Sequence, residues 1–327
     1  MHPALSVIFF TTLSGAGYGL LALLGAGLAL DLWPRETASL LWPLGLGALL
    51  TSTGLLASMA HLGQPLRAWR AFSQWRSSWL SREGVCAVTS YLPMAAIALL
   101  ALRQDAQLPW PAAARLAGAA LLAAALLTVF CTARIYSSLR TIPAWHNAWV
   151  APGYLLFAAY SGGLWLWLLA ALHQVGAPLP WDRLGLAPGP LMGLVGAALL
   201  VTALKLAYWR RIDGPAAVAD IGSATGLGRY GTVSAFEKPH TEYNYINREM
   251  GFVLARKHAA RLRAFALVCG LGLPLLGVLA AIRLPDYSPS FAALALLSGS
   301  LGIFVERWLF FAEARHVVNL YYGARRV

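Results

Sequence analysis

Six ionisable side chains stand inside or at the ends of long apolar runs: His61, Glu83, Arg134, Lys205, Glu306 and Arg307. Charge is costly to keep in hydrocarbon, so such groups mark candidate sites of chemistry. A histidine and a carboxylate suit proton exchange at a membrane edge. Histidine titrates near neutrality, and either group can pass a proton to a bound partner. His61 and Glu83 bracket a single connector, "HLGQPLRAWRAFSQWRSSWLSREG" (61–84), together with Arg67, Arg70, Arg76 and Arg82. Its tryptophans, Trp69, Trp75 and Trp79, suit an aromatic belt at the lipid–water boundary. Plainer explanations stand beside the chemical one. Arg134, Lys205 and Arg307 can snorkel to the headgroups. Glu306 can be the ion-pair partner of Arg134 or Arg307, and His61 can be an ordinary interfacial histidine.

Several other chemistries fit poorly. A haem in a helical bundle needs axial histidines facing each other within the membrane. The seven histidines (His2, His61, His146, His173, His240, His258 and His316) all fall in connectors or at the ends of apolar runs. Cys86, Cys131 and Cys269 are too far apart for a CxxC ligand set, so neither an iron–sulfur cluster nor zinc is expected. They read as small packing residues. The glycine-rich "GSATGLGRYG" lacks the preceding strand that a dinucleotide fingerprint requires. A secondary transporter would place polar groups at the midplane on broken helices, often in repeated halves. The charges here gather toward one face instead.

The elements that must position these groups are transmembrane helices. Of the 327 residues, 59% are hydrophobic and only 12% charged, about half the charge of a soluble domain. A helical crossing takes about 20 apolar residues. On that basis, spans are expected near 4–30, 37–59, 84–102, 114–136, 150–172, 189–209, 264–283 and 289–311. The first run is too long for the apolar region of a cleaved signal peptide, and no Lys or Arg precedes it. Breakers such as Trp33-Pro34, Pro109-Trp110-Pro111 and Pro178-Leu179-Pro180 mark the connectors. The expected fold class is all-α: a polytopic bundle of eight transmembrane helices in a single membrane domain over 1–327, with both termini on one side. The five glycines of "SGAGYGLLALLGAG" read as close helix packing. Connector 210–263 is long and basic, and its part from 246 reads as an interfacial or partner-facing helix.

Net charge is +12. Because the basic residues lie in connectors, they point to topology and to anionic lipid or an acidic partner, not to nucleic acid. Arg35, Arg103, Arg115, Arg183 and Arg283 belong to one face, and the remaining 20 of the 25 basic residues to the face of the termini. The positive-inside rule then puts that face in the cytoplasm.

"SMAHLGQPLRAWRAFSQWRSSWLSREG" and "ARIYSSLRTIPAWHNAWVAPGYL" (133–155) resemble the DmsC family of membrane anchor subunits of DMSO-reductase-type molybdoenzymes. "VERWLFFAEARHVVNLYYG" (305–323) is similar more loosely. The resemblance implies a non-catalytic anchor in a bacterial inner membrane that holds no haem, iron–sulfur cluster or molybdenum. It implies exchange of electrons between a quinone (menaquinone or ubiquinone) and an iron–sulfur subunit, which relays them to a molybdopterin catalytic subunit. It also implies that His61 and Glu83 sit at the quinone site as hydrogen-bond partner and proton relay. Arg67, Arg134 and Glu306 are candidate supporting groups. The long 210–263 connector is more similar to the branch that serves cytoplasmic sulfite-oxidising complexes (SoeC) than to the shorter DMSO reductase anchors. Sulfite oxidation is the first expectation, and S-oxide reduction from quinol the alternative.

Overall fold

The computed structural model describes residues 4–60, 62–105, 108–174, 188–214, 220–234, 236–237 and 254–322. Eight helices among them are long and apolar enough to cross a membrane. They are α1 (Leu5–Ala29), α2 (Thr37–Met59), α3 (Trp79–Ala101), α4 (Ala112–Ser137), α5 (Val150–Gln174), α6 (Pro188–Asp213), α7 (Ala259–Arg283) and α8 (Ser288–Ala312). The expected spans are all present, and the ends that differ most are those of α3 and α7. Helix α3 starts before its apolar run, because the Ser78 hydroxyl caps it by accepting the Ser81 N–H at 3.4 Å. Arg82 and Glu83 therefore lie within its first turns. Helix α7 likewise begins at Ala259 and takes in Arg261 and Arg263; of the connector's expected helix from 246, only the turn Leu254–Lys257 before α7 is described. Residues 238–253 of that connector, with His240, lie outside the described residues, as do His2, His61 and Arg183.

Two sets of contacts fix the alternation of helix direction. At one end, the Trp110 indole donates to the Trp33 and Pro34 carbonyls (both 3.2 Å), His173 meets Glu36 at 2.9 Å, and the Trp167 indole donates to Ser288. At the other end, the Trp145 indole donates to the Phe310 carbonyl, Val317 N–H to the Thr141 carbonyl, and Arg263 joins Asp213 and Glu313. Phe9 of α1 packs on Phe304 of α8 with ring centroids 5.2 Å apart, so α1 begins and α8 ends at this second end. The basic connectors lie there too, and it is called the basic end below.

Helix α1 is the hub, packed on α2, α4 and α5. Three of its five glycines make that possible, and a fourth seats Trp33 of the following loop. A Cβ at Gly19 would stand 1.7 Å from the Ala158 carbonyl oxygen, and one at Gly25 2.6 Å from that of Gly118. Gly17 and Gly27 are similarly tight against Thr51 and Trp33. Gly15 is the exception: nothing lies within 4 Å of its Cβ position. In α7, a π-helical turn over Val268–Gly272 frees a carbonyl from the usual ladder, and the buried Tyr160 hydroxyl donates to Gly270 O at 2.9 Å. That turn lets Gly270 and Gly302 bring α7 and α8 into backbone contact.

Candidate functional site

The open space at Gly15 belongs to a partly open cavity between α1, α4, α5 and α8, whose enclosed part is about 20 Å³. Its lining residues Thr11, Thr132 and Arg307 each lie five or six residues from the basic end of their helix, which places it roughly 10 Å deep at 1.5 Å per residue. Ser14 and Ser161 on its wall are already committed, donating to carbonyls one turn back in their own helices. The tyrosines differ. Tyr18 and Tyr154 line the cavity with buried hydroxyls that make no full hydrogen bond: that of Tyr18 lies toward Ser90 and Thr128, and that of Tyr154 toward Arg307. A buried hydroxyl left incompletely matched costs free energy, so both suit a polar neighbour.

One wall carries an acid. Glu83 is buried at 5% exposure just behind Thr132, whose hydroxyl donates to its carboxylate. The same hydroxyl also reaches the Thr128 carbonyl, 3.0 Å away in its own helix. One proton thus has two acceptors. If Glu83 takes up a proton, the carboxylic acid can donate to Thr132 while Thr132 turns to Thr128. The connector holds Glu83 in place through the start of α3. Ser81 Oγ donates to the Ala71 carbonyl, Arg82 donates to the Trp75 and Arg76 carbonyls, and the Phe72 ring packs on Gly84.

The opposite wall carries cations. Arg307 Nε donates to Glu306 Oε2 at 2.6 Å, and Lys205 Nζ lies 2.6 Å from Glu306 Oε1. All three are at most 5% exposed, so Lys205 and Arg307 do not snorkel. Aromatic faces complete the enclosure: Arg307 lies 4.5 Å from the Tyr154 centroid and 4.8 Å from Phe157, and Lys205 4.1 Å from Tyr208. Between this cluster and water, Arg263 pairs with Glu313 at 2.8 Å. Burial pushes the Glu313 carboxyl above the usual carboxylate range, against the pull of Arg263.

Of the sequence candidates, Glu83 and Glu306 do not line the cavity themselves: each stands behind a lining residue, Glu83 behind Thr132 and Glu306 behind Arg307. Arg134 stands apart: it stacks on Trp79 and donates to Ser137, so Glu306 pairs with Arg307 and Lys205. Arg67 is exposed on the connector, whose first part is the 3₁₀ helix Pro65–Gln74. His61 lies outside the described residues. Tyr18 and Tyr154 escaped the sequence reading. Their one signal is a phenol inside an apolar run, which must find a polar partner when buried. Among the described residues, no three His, Cys, Asp or Glu side chains gather as metal ligands.

Over its full length the protein is similar to the C subunit of the sulfite dehydrogenase of Allochromatium vinosum, with 32% identity over 98% of this chain and 99% of that protein. It is 30% identical to the C chain of the anaerobic dimethyl sulfoxide reductase of Escherichia coli K12, over 38% of this chain and 43% of that one. Residues 1–179 match the profile of the family described as DMSO reductase anchor subunit (DmsC). That match takes in Tyr18, Glu83, Thr132 and Tyr154, while Lys205, Glu306 and Arg307 lie beyond it. Eight apolar helices and an end-to-end relative agree on an integral membrane protein, and the chain belongs to the DMSO reductase anchor subunit (DmsC) family.

Proposed function

We propose that this chain is the membrane anchor and quinone-reactive subunit of a molybdopterin/iron–sulfur oxidoreductase, and that the cavity beside Glu83 receives the quinone ring. The observation that carries the quinone reading is the cavity itself. It is apolar over most of its wall, carries the buried phenols of Tyr18 and Tyr154, and has a carboxylate behind Thr132 and the Arg307 guanidinium in its lining. Reducing a quinone consumes two electrons and two protons. Thr132 would orient one ring oxygen, and Glu83 would hold or deliver the proton through the Thr132 hydroxyl. His61 at the basic end would serve as its exchange partner with water. Arg67, on the exposed connector, would help form the docking surface.

The substrate follows from the end-to-end similarity to an anchor of a sulfite dehydrogenase: electrons would pass from sulfite, through the iron–sulfur subunit, into quinone. The shorter similarity to a dimethyl sulfoxide reductase anchor supports the alternative, quinol oxidation in S-oxide reduction. In both, the iron–sulfur subunit docks at the basic end, because the cavity lies near that end and no haem is invoked to carry electrons across the bilayer. By the positive-inside rule that end is cytoplasmic, in the inner membrane of a bacterium.

The test is a pair of variants. Gly15→Leu, whose Cβ meets nothing within 4 Å, puts a side chain into the cavity, and Glu83→Gln removes the exchangeable charge while keeping the shape. Both should slow quinone-coupled turnover of the assembled complex, Glu83→Gln by about a hundredfold, the lower end of the usual range for losing a proton-transfer group. Activity with a soluble electron dye should be unchanged. Normal quinone-coupled rates in both assembled variants would move the site elsewhere.

A further inference from the structure

Arg307 is the one charged residue among those lining the cavity, and the buried cluster behind it is not neutral. Lys205 and Arg307 bring two formal positive charges and Glu306 one negative, which leaves one positive charge in excess within the trio; the next acid, Glu313, is paired with Arg263. The geometry shows where the excess goes. Glu306 is shared, one oxygen to each cation at 2.6 Å, so its single charge cannot cancel both. Lys205 thereby leaves Arg307 only partly neutralised on its cavity side. The guanidinium is also fixed in orientation, with its Nε bound to Glu306 and the rings of Tyr154, Phe157 and Phe310 at 4.5, 4.8 and 5.4 Å. The buried Tyr154 hydroxyl stands against it. A fixed cation at one edge of a largely apolar cavity forms a site for an oxyanion on a flat ring.

We propose that Arg307 is the anion-binding pole of the cavity, taking the ligand oxygen remote from Thr132 and Glu83. The site then prefers a deprotonated hydroxyquinone or hydroquinone ring to a neutral ring of the same shape. Lys205 is a positioning residue that acts through Glu306, holding back the countercharge. This deepens the quinone reading and rests on it. It also explains why three charges persist within the bundle, where an apolar substitute would often be no less stable.

Two probes separate charge from shape. A 2-hydroxy-3-alkyl-1,4-naphthoquinone is an anion at neutral pH, whereas its 2-methoxy ether cannot ionise. Binding is measured on the purified full-length chain in lipid nanodiscs, with empty nanodiscs correcting for partition. Wild type should bind the hydroxy compound at least about tenfold more tightly than the ether, a ratio worth about 1.4 kcal/mol. Gly15→Leu should bind neither, which locates both probes in the cavity. Arg307→Gln should keep the ether and lose the preference, Lys205→Met should reduce the preference, and Arg307→Lys should retain part of it. A purely structural Lys205 would alter both affinities together and leave their ratio unchanged. If Arg307→Gln does not fold, wild type still decides: lowering the pH through the probe's own ionisation should abolish the preference. Equal wild-type affinities, or a preference that survives Arg307→Gln, overturn the proposal and leave the quinone reading standing. If wild type shows no binding that depends on Gly15, the quinone reading itself falls.

Discussion

The sharing of Glu306 between two cations makes an unusual stability prediction. Removing Glu306 and removing Lys205 break the same 2.6 Å contact, yet they leave different residues behind. Glu306→Gln strands two cations in a buried site, and an uncompensated buried charge costs about 3–5 kcal/mol. Lys205→Met leaves Glu306 and Arg307 as a matched pair, and Met fills most of the volume of the lysine stem. Its cost is mainly the loss of the ammonium from the faces of Tyr208 and Trp209 (4.1 and 4.9 Å), about 0.5–2 kcal/mol. The sign of the second step is the sharper expectation. In the Glu306→Gln background, Lys205→Met removes one of two repelling cations and should stabilise the protein, although it destabilises wild type. A double-mutant cycle on the purified full-length protein, unfolded in one lipid or detergent, measures this coupling. An equal cost of Lys205→Met in both backgrounds would show that the three residues do not act as a charge cluster, and the argument for Arg307 as a partly neutralised cation would lose its base.

Other expectations follow from single positions. Gly19→Ala places a Cβ 1.7 Å from the Ala158 oxygen, half the 3.4 Å of ordinary contact, so α1 and α5 must part. That should cost about 3 kcal/mol or more, the upper end of the usual overpacking range of about 1–3. Gly15→Ala, with open space around its Cβ, should be neutral or slightly stabilising in the same unfolding assay. His316 Nδ1 accepts the Val318 N–H at 3.0 Å, and burial pushes the imidazole below its usual range. The folded state therefore favours neutral His316. Its contribution is fully present above about pH 6.5 and is lost as pH falls toward the lower folded value. The difference in stability between wild type and His316→Asn, followed from about pH 8 to 5 across that window, should shrink in that direction; a pH-independent difference would remove the titration. A reporter fused after Val327 should be exposed in the cytoplasm, and periplasmic exposure would reverse both the orientation and the docking side.

The eight spans were legible because a run of about 20 apolar residues has no other common explanation. Their ends were less so. Arg82, Glu83, Arg261 and Arg263 lower the local hydropathy, but the backbone continues as helix wherever such groups find partners. The partners themselves were not legible. Glu306 could have met Arg134 or Arg307 by depth alone, and only the packing of α8 against α5 and α6 selects Arg307 and adds Lys205. The five glycines of α1 look equivalent in sequence. Four meet a neighbouring helix or side chain and the fifth faces the cavity, a distinction set by which way each points around the helix.

The cavity joins distant parts of the sequence, and this bears on how its chemistry is assembled. Tyr18, Thr132 and Tyr154 lie within residues 1–179, whereas Arg307 comes from the last span. The acid wall can be positioned by α3 and α4 alone, through the bond between Glu83 and Thr132. The cation wall exists only once α8 has closed on α1 and α5, a closure supported by Phe9 against Phe304 and by the Trp145 indole bonded to the Phe310 carbonyl. Helix α6 must then supply Lys205. A ring spanning both walls would make the two halves depend on each other, so occupancy of the cavity should favour the closed bundle by mass action. The same contacts lie at the basic end, near the connectors read as the docking surface. The packing that completes the cavity is therefore also the packing that shapes the surface through which electrons would pass.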